Sequence, residues 1–197
     1  GVYNGKPVTF GYSEQIQSFA GIFSDWYADT ALQFDPVKFN ADEIVSLAKA
    51  AGMRSIVITT KHHDGFCMFN TATTEYNSVN ATPSNRDYVK ELSDACRRGG
   101  INFAMYYSLI DWNFPHAYPI SSHNCDFITP QHHEFSKAQI TELLTNYGSV
   151  SELWFDMGSN QPEQSKELYE LVHKLQPDCM VSGRLGNGWY DFAVMAD

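Results

Sequence analysis

Two segments of the sequence place reactive side chains directly after runs of strand-forming residues. Residues 59–66 read TTKHHDGF and follow the run 55–59, SIVIT, which favours a β-strand. Much later in the chain, residues 152–158 read ELWFDMG, so a second apolar run ends in the carboxylate of Asp156. Reactive groups at the C-terminal ends of parallel strands are typical of (β/α) barrel enzymes. The two segments therefore predict an active site built on such strands.

The residue types alone leave the roles of these side chains open. Asp156 could act as a nucleophile on a rigid strand end, or it could be a loop carboxylate or a helix N-cap. His62 and His63 could bind a ligand where the strand ends, or they could bond to neighbouring loops. Adjacent residues of an extended segment point to opposite faces, so this pair is poorly suited to chelating one metal ion.

Helices and strands alternate along most of the chain. The helices are predicted over residues 39–51, 86–98, 131–147 and about 162–175, and the strands over 54–60, 101–108, 151–156 and 179–183. The strands are short apolar runs, as expected for burial on both faces. Residues 1–35 contain no predicted strand and read as an extended, aromatic-rich loop.

The first predicted helix has clear end signals. Asn40 with Glu43 three residues later forms a capping-box pattern, and Gly52 ends the helix. Its apolar face is predicted to contain Ile44, Leu47, Ala48 and Ala51.

This alternation predicts an α/β fold with a parallel sheet and right-handed crossovers. A complete eight-stranded barrel needs about 250 residues, and this sequence has 197. We therefore predict a single domain over residues 1–197 that forms a partial (β/α)8 barrel, with about strands 2 to 5 and their helices. A doubly wound sheet is the competing fold, but no strand is followed by a G-x-G-x-x-G turn.

Composition narrows the range of partners. The formal net charge of −10 disfavours nucleic acids and anionic membranes, and no apolar run reaches 18 residues. Aromatic residues make up 14% of the chain, which suits a core or a sugar-binding site. The cysteines are far apart and predict buried free thiols; they are Cys67, Cys96, Cys125 and Cys179.

The sequence resembles the catalytic domain of the family 29 glycoside hydrolases, the retaining α-L-fucosidases. The resemblance runs from about residue 1 to about residue 192. The 59–66 segment is similar to the hallmark of that family, and the Trp154-Phe155-Asp156 segment is similar to its nucleophile strand. The other matching segments follow in the family's order: residues 25–27, 34–39, 77–79, 86–87, 106–108 and 111–112.

The resemblance implies a role for each candidate site residue. Asp156 would be the catalytic nucleophile, and His62 and His63 would hydrogen-bond the sugar hydroxyls. The remaining substrate-binding residues would wall the fucose pocket: Trp26 against the C5 methyl face, Tyr106 and Trp154 around the ring, and Arg184 near the nucleophile. From the residues alone, core packing remains an alternative for Tyr106 and Trp154, and a structural ion pair for Arg184.

Retaining hydrolysis also needs an acid/base carboxyl group about 5–5.5 Å from the nucleophile. In the family this glutamate follows an Asp-aromatic pair, which Asp191-Phe192 resembles. The position five residues on is Ala196, and the nearest carboxylate is Asp197. We therefore expect the acid/base to lie beyond the chain or at a different spacing.

The predicted substrate is a fucosylated oligosaccharide or glycoconjugate, with no metal and no cofactor. The resemblance also favours a secreted, periplasmic or lysosomal location. One alternative function is a fucose-binding or inactive barrel that lacks the acid/base. A second is a metal-dependent barrel hydrolase, which is disfavoured because the later strands end at Ser108, Asp156 and Arg184 rather than at histidines.

The sequence also predicts the surroundings of two further pairs of histidines and of Asp111-Trp112. The pair His132-His133 is predicted to lie at a solvated helix start. His116 and His123, in the loop 109–129, could line outer subsites. Asp111-Trp112 is predicted to shape the site rather than to perform chemistry.

Overall fold

The computed structural model describes residues 1–116 and 127–194. Its strands are β1 (Val2–Tyr3), β2 (Lys6–Pro7), β3 (Ser55–Lys61), β4 (Asn102–Ser108), β5 (Glu152–Asp156) and β6 (Met180–Val181). Its α-helices are α1 (Ile16–Phe19), α2 (Ser24–Ala28), α3 (Ala41–Ala50), α4 (Tyr88–Gly99), α5 (Pro130–Asn146) and α6 (Pro162–Leu175). Short 3-10 turns cover Ser13–Gln15, Asp29–Gln33 and Gly183–Leu185.

Strands β3 to β6 form a parallel sheet in sequence order. Between consecutive strands the chain passes through α4, α5 and α6, which is the alternation that the sequence predicts. Parallel neighbours in sequence order bring their C-terminal ends to one edge of the sheet, so Lys61, Ser108 and Asp156 end on the same side.

The prediction that residues 1–35 lack a strand is wrong. The two-residue strands β1 and β2 pair antiparallel as a small hairpin. Its turn contains Asn4 at φ +50° and Gly5 at φ +73°. Such turns need residues that tolerate positive φ, and Asn-Gly is the favoured pair, so this signal was present in the sequence.

The predicted apolar face of α3 is right for Ala48 but wrong for Ile44, Leu47 and Ala51 as buried residues. Ile44 is 38% exposed and Leu47 is 73% exposed, whereas Ala41, Val45 and Ala48 are buried. These three residues are spaced i, i+4, i+7 and so share one stripe of the helix. That stripe packs toward α4, where a side chain on Gly99 would collide with Val45. The predicted N-cap is confirmed, since the Asn40 side chain accepts a hydrogen bond from the Glu43 amide.

Burial differs between the strands of the sheet. In β4 the residues 103–105 are all buried, as predicted for a strand covered on both faces. In β3 the residues 55–59 alternate between exposed and half-buried, and Val57 is 47% exposed. The prediction of two-sided burial is therefore wrong for β3. The reason is its position at one edge of the described sheet, where β4 is its pairing neighbour.

Buried thiols are confirmed for Cys67, Cys96 and Cys179, which are free. Cys125 lies outside the described residues. Among the helices that the structure describes, none is long and apolar enough to cross a bilayer.

Candidate active site

The candidate nucleophile Asp156 is held from two neighbouring strand ends. The hydroxyl of Tyr106 on β4 donates to Asp156 Oδ2 at 2.5 Å. The Arg184 guanidinium, in the 3-10 turn that follows β6, donates to Oδ1 at 2.7 Å. Both carboxylate oxygens therefore have a fixed donor. The Asp156 side chain is 14% exposed, so a small molecule can still reach it.

A sharp turn follows Asp156 immediately. Met157 has φ +52°, a conformation that side-chain-bearing residues rarely adopt, and Gly158 has φ +125°. A Cβ on Gly158 would lie 3.0 Å from Leu109 Cβ. Glycine therefore allows the turn to pack against the loop after β4, which the structure describes over residues 109–116. The Leu109 amide in turn donates to the Asp156 carbonyl at 2.7 Å. The strand end that carries Asp156 is thus fixed on both sides.

Tyr106 is suited to donating to the carboxylate at ordinary pH. Burial raises the pKa of the Tyr106 hydroxyl, and the hydrogen bond to Asp156 raises it further. The hydroxyl therefore stays protonated and the carboxylate remains its acceptor. On its ring face, Tyr106 stacks with His62 at a centroid distance of 5.5 Å and an interplanar angle of 9°.

His62 and His63 lie side by side, with ring centroids 3.9 Å apart. Burial lowers the pKa of His62, and the negative charges of Asp156 and Glu14 oppose that shift. Burial also lowers the pKa of His63 to about 3, with further lowering from the charges of His62 and Lys61. Both rings are therefore neutral near neutral pH, the form in which imidazole offers one donor and one acceptor.

His63 is the more constrained of the two rings. It is 2% exposed, and its Nδ1 lies 2.8 Å from Ser108 Oγ. Its carbonyl accepts from the Trp112 amide at 2.8 Å, and the Trp112 ring packs edge-on at 5.6 Å. The adjacent histidines therefore differ in setting: His62 lies on the ring of Tyr106, and His63 is inserted beneath the loop that follows β4.

A buried ion pair lies next to the turn formed by residues 62–65, which we call the histidine turn. Lys61 Nζ lies 3.1 Å from Asp111 Oδ2, and both side chains are inaccessible to solvent or nearly so. The Lys61 ammonium also lies 4.4 Å from the centroid of the Tyr107 ring. Burial lowers the pKa of Lys61, but the charge and hydrogen bond of Asp111 together with Tyr107 and Cys67 outweigh this, and the pKa is raised overall. Lys61 is therefore permanently charged.

The other carboxylate oxygen of Asp111 organises the loop after β4. Asp111 Oδ1 accepts from the amides of Asn113 and Phe114, both at 2.9 Å. On its far side lies Gly65, at φ +85°, where any Cβ would collide with the Asp111 carboxylate. Asp111 thus joins the histidine turn to the next loop, in agreement with its predicted role in shaping the site.

Asp64 follows His63 in the histidine turn. Its Oδ1 accepts from the Phe66 amide at 3.2 Å. Burial raises the pKa of Asp64 to about 6. Burial also raises the pKa of Tyr27 on α2, with a contribution from the Asp64 charge.

The two candidate tryptophans occupy different settings. Trp154 is half-buried on β5, pairs in register with Tyr106 and meets Phe192 edge-on at 6.1 Å. Trp26 on α2 is 63% exposed and packs against Phe23 at 5.2 Å. The adjacent Ser24 anchors this helix, since its Oγ donates to the Trp112 carbonyl at 2.5 Å. Trp26 is therefore held near the loop after β4, but no described contact joins it to Asp156.

The prediction of a solvated His132-His133 pair is wrong, because both side chains are buried. His132 packs beside the stacked rings of Phe114 and Phe135, and among the described residues neither of its ring nitrogens has a hydrogen-bond partner. Its pKa is lowered to about 4, mainly by burial and also by the nearby Lys61 charge. The first turn of α5 lies beneath the loop after β4, which the local polarity of the sequence does not reveal.

His133 belongs to a group of possible metal ligands away from the strand ends. His133 and Glu134 on α5 and Glu167 on α6 place their ligand atoms within 4.8 Å of one another. Lys137 Nζ lies 2.9 Å from Glu134 and 3.1 Å from Glu167, so this group already contains a cation. Within residues 1–116 and 127–194, no comparable ligand group includes His62 or His63.

The remaining predicted positions make hydrogen bonds within the fold or lie outside the described residues. The His116 carbonyl accepts from Thr129 Oγ1 at 2.6 Å. Asp191 accepts from Tyr169 at 2.7 Å and from the Val181 amide at 2.7 Å, so it anchors the segment after β6. His123, Ala196 and Asp197 lie outside the described residues.

Sequence reasoning missed Lys61 and Ser108 as members of this site. Each is a polar residue at the last position of a strand, Lys61 on β3 and Ser108 on β4. Their position in the sequence was a usable signal. Polar groups are rarely buried without a partner, so a lysine or serine that ends a buried strand is expected to bind another group there.

Comparisons with known proteins identify the family of this chain. The family model for alpha-L-fucosidase matches residues 11–195. Alpha-L-fucosidase 1 of Arabidopsis thaliana is 33% identical over 161 residues, which cover 78% of this chain and 30% of that protein. The plasma alpha-L-fucosidase of Homo sapiens is 31% identical over 158 residues, covering 79% of this chain and 27% of that protein. The chain thus spans about a third of the curated relatives that it matches.

Solved structures give the same result for the fold. The unliganded alpha-L-fucosidase AlfC from Lactobacillus casei superimposes with a TM-score of 0.87 at 37% identity, covering 99% of this chain and 66% of that one. The alpha-L-fucosidase from Vibrio sp. strain EJY3 also has a TM-score of 0.87 at 37% identity, covering 98% of this chain and 36% of that one. The prediction of a partial (β/α)8 barrel is confirmed. On the extent of the family match, this chain belongs to the alpha-L-fucosidase family of glycoside hydrolases.

Proposed function

We propose that the protein carrying this chain is a retaining exo-α-L-fucosidase, with Asp156 as its nucleophile. The observation that carries this proposal is the setting of Asp156, at the end of β5 with one donor on each oxygen. A nucleophilic carboxylate must be held on a rigid element, and the Tyr106 hydroxyl and the Arg184 guanidinium each fix one oxygen of Asp156.

In this mechanism Asp156 attacks the anomeric carbon of an α-L-fucoside, the glycosidic C–O bond breaks, the aglycone is protonated and leaves as an alcohol, and a β-fucosyl ester remains on Asp156. Water then opens the ester with net retention, assisted by a second carboxyl group that acts first as acid and then as base. No described residue is assigned to that second role. Tyr106 and Arg184 orient the attacking oxygens, and the carboxylate's hydrogen bonds redistribute as its charge is lost in the ester.

The neighbouring residues supply the features that fucose recognition requires. The neutral rings of His62 and His63 provide hydrogen-bonding groups for sugar hydroxyls. Trp26 and Trp154 are proposed as the apolar surfaces, with Trp26 facing the C5 methyl group. A few fixed polar groups together with aromatic walls are the usual composition of a small-molecule site.

The substrate is proposed to be a terminal α-L-fucosyl group on an oligosaccharide or glycoconjugate. Related structures support this class: AlfC D200A has been solved with Fuca(1,6)GlcNAc and with 4-nitrophenyl-a-L-fucopyranoside. An aryl fucoside is therefore the natural first substrate for the protein, and fucosyl disaccharides of different linkage form the second panel.

The decisive experiment combines stereochemistry with covalent trapping. Proton NMR of early hydrolysis should show α-fucose as the first product, and a slow fluorinated fucosyl substrate should label the peptide that spans residues 152–158. A β-fucose product or a label elsewhere would exclude Asp156 as the nucleophile of a retaining reaction. Binding of fucose without any turnover would favour the alternative of a binding protein that lacks the acid/base.

A further inference from the structure

A short chain of hydrogen bonds runs from His63 into the backbone of the loop after β4. His63 Nδ1 lies 2.8 Å from Ser108 Oγ, and Ser108 Oγ lies 2.9 Å from the Ile110 carbonyl oxygen. All three residues are buried, with Ser108 fully inaccessible. Solvent therefore cannot replace either bond, and the protons must be arranged by these groups themselves.

Only one arrangement of protons satisfies both contacts. The serine hydroxyl has a single proton, and the Ile110 carbonyl can only accept. If Ser108 donates to Ile110, its oxygen must accept from a protonated Nδ1 of His63. If Ser108 instead donates to His63, the buried Ile110 carbonyl loses this donor, which is unfavourable because a buried polar group is then left unsatisfied. The first arrangement is therefore favoured.

The tautomer of His63 follows from this arrangement. The ring is neutral near neutral pH because of its burial and the nearby positive charge of Lys61. A neutral imidazole with its proton on Nδ1 has a lone pair on Nε2. Nε2 has no hydrogen-bond partner among the residues the structure describes, and it is not one of the fully buried unpaired atoms. It is therefore available to a ligand.

We propose that Ser108 is a positioning residue that fixes His63 as the Nδ1–H tautomer, so that Nε2 accepts a hydrogen bond from one fucose hydroxyl. This inference rests on the proposed function, because it specifies how that same site selects its sugar. An acceptor demands a donor, so this position of the sugar must carry a hydroxyl group rather than an ether or a fluorine. Ser108 is well placed for this role, since it pairs in register with Asp156 and so joins sugar recognition to the nucleophile strand.

The first arm of the test reads the tautomer directly in the unliganded protein. Two-dimensional NMR of protein labelled with ¹⁵N in histidine should show the Nδ1 of His63 protonated in the wild type. Ser108→Thr keeps the oxygen and should preserve that signal, whereas Ser108→Ala should shift His63 toward Nε2–H. A wild-type ring protonated on Nε2 would overturn the inference, and it would do so even if Ser108→Ala failed to fold.

The second arm measures binding in an Asp156→Ala background, where substrates are not consumed. Calorimetry compares fucosides in which one ring hydroxyl at a time is replaced by hydrogen or by fluorine. The hydroxyl that reaches His63 is the one whose replacement weakens binding to the Asp156→Ala protein but has no effect once His63→Phe is added. At that position fluorine should weaken binding as much as hydrogen, because fluorine cannot donate. Ser108→Ala should weaken the parent fucoside about tenfold, as expected for one poorly oriented hydrogen bond, and Ser108→Thr should restore it.

The outcomes separate this inference from the function on which it rests. If fluorine keeps full binding at the His63 position while hydrogen loses it, His63 is the donor and the inference is wrong, although the fucosidase assignment stands. If no fucoside binds at all, the proposed function fails and the ligand role of His63 fails with it.

Discussion

The hydroxyl of Tyr106 and the carboxylate of Asp156 meet at 2.5 Å across two adjacent parallel strands. Tyr106 pairs in register with Trp154, two residues before Asp156, so its side chain reaches up along the sheet to the strand end. Arg184 approaches the same carboxylate from the turn after β6. The nucleophile candidate is thus oriented by three strands together, which is a constraint that no single segment could impose.

Tyr106→Phe should lower kcat on an aryl fucoside by about ten- to a hundredfold. The substitution removes one hydrogen bond to a charged group, worth about 1.5–3 kcal/mol, while keeping the ring that stacks on His62. Tyr169→Phe is the matched control, because it also removes a tyrosine–carboxylate bond, but to Asp191 rather than to Asp156. Equal losses in the two variants would show that Tyr106 acts on folding rather than on Asp156.

Asp156→Ala should abolish turnover, with a loss of roughly a thousandfold or more, because the covalent route disappears. Asp156→Gly should regain activity when azide is added, since a small anion can occupy the vacated space, and the product should be the fucosyl azide. Circular dichroism of both variants checks that the fold is kept. An alanine variant that retains a tenth of wild-type activity would rule out Asp156 as the nucleophile.

Lys61→Met should destabilise the protein by about 3–5 kcal/mol, because it leaves the Asp111 carboxylate buried without its partner. Urea denaturation at neutral pH measures the change. The exposed Arg98–Asp42 pair provides the control: Arg98→Met should cost at most about 1 kcal/mol, as is usual for surface ion pairs. Similar midpoints for the two variants would contradict the structural role of the buried pair.

The pH dependence of stability should contain a contribution from His132. Burial lowers its pKa to about 4, against 6.5 for a histidine exposed to water, so the unfolded chain binds more protons between these values. Its stabilising contribution is therefore complete above pH 6.5 and is lost as the pH falls toward 4. Between about pH 7 and pH 5 this amounts to about 2 kcal/mol.

His132→Phe should remove that dependence and should not lower stability at neutral pH. Within the part of the chain that the structure describes, both ring nitrogens of His132 lack hydrogen-bond partners and its neighbours Phe114 and Phe135 are aromatic, so a phenyl ring suits the site. His132→Gln is the matched variant: it also cannot titrate, but it buries an unsatisfied amide and should be less stable at neutral pH. Urea denaturation of the three proteins at about pH 7 and pH 5 gives the comparison, and an unchanged slope for His132→Phe would refute the assignment.

Much of this architecture was predictable because its signals are local. The alternation of helix and strand patterns, the Asn40 cap and the strand ends near His62 and Asp156 all depend on neighbours in sequence. The errors came where burial depends on packing between distant segments. Ile44 and Leu47 are apolar but exposed, and His132 is polar but buried, because side-chain type does not tell which face of a helix meets its neighbour.

The candidate site divides in the same way. The sequence by itself indicated candidate residues for the chemistry, their position at the ends of strands and the family to which the chain belongs, because these depend on residue types and spacing. Tertiary structure alone decided that Tyr106 and Arg184 share Asp156, that Lys61 pairs with Asp111 and that Ser108 holds His63. Each of these contacts joins residues at least 28 positions apart, and parallel strand pairing is what brings such residues within hydrogen-bonding distance.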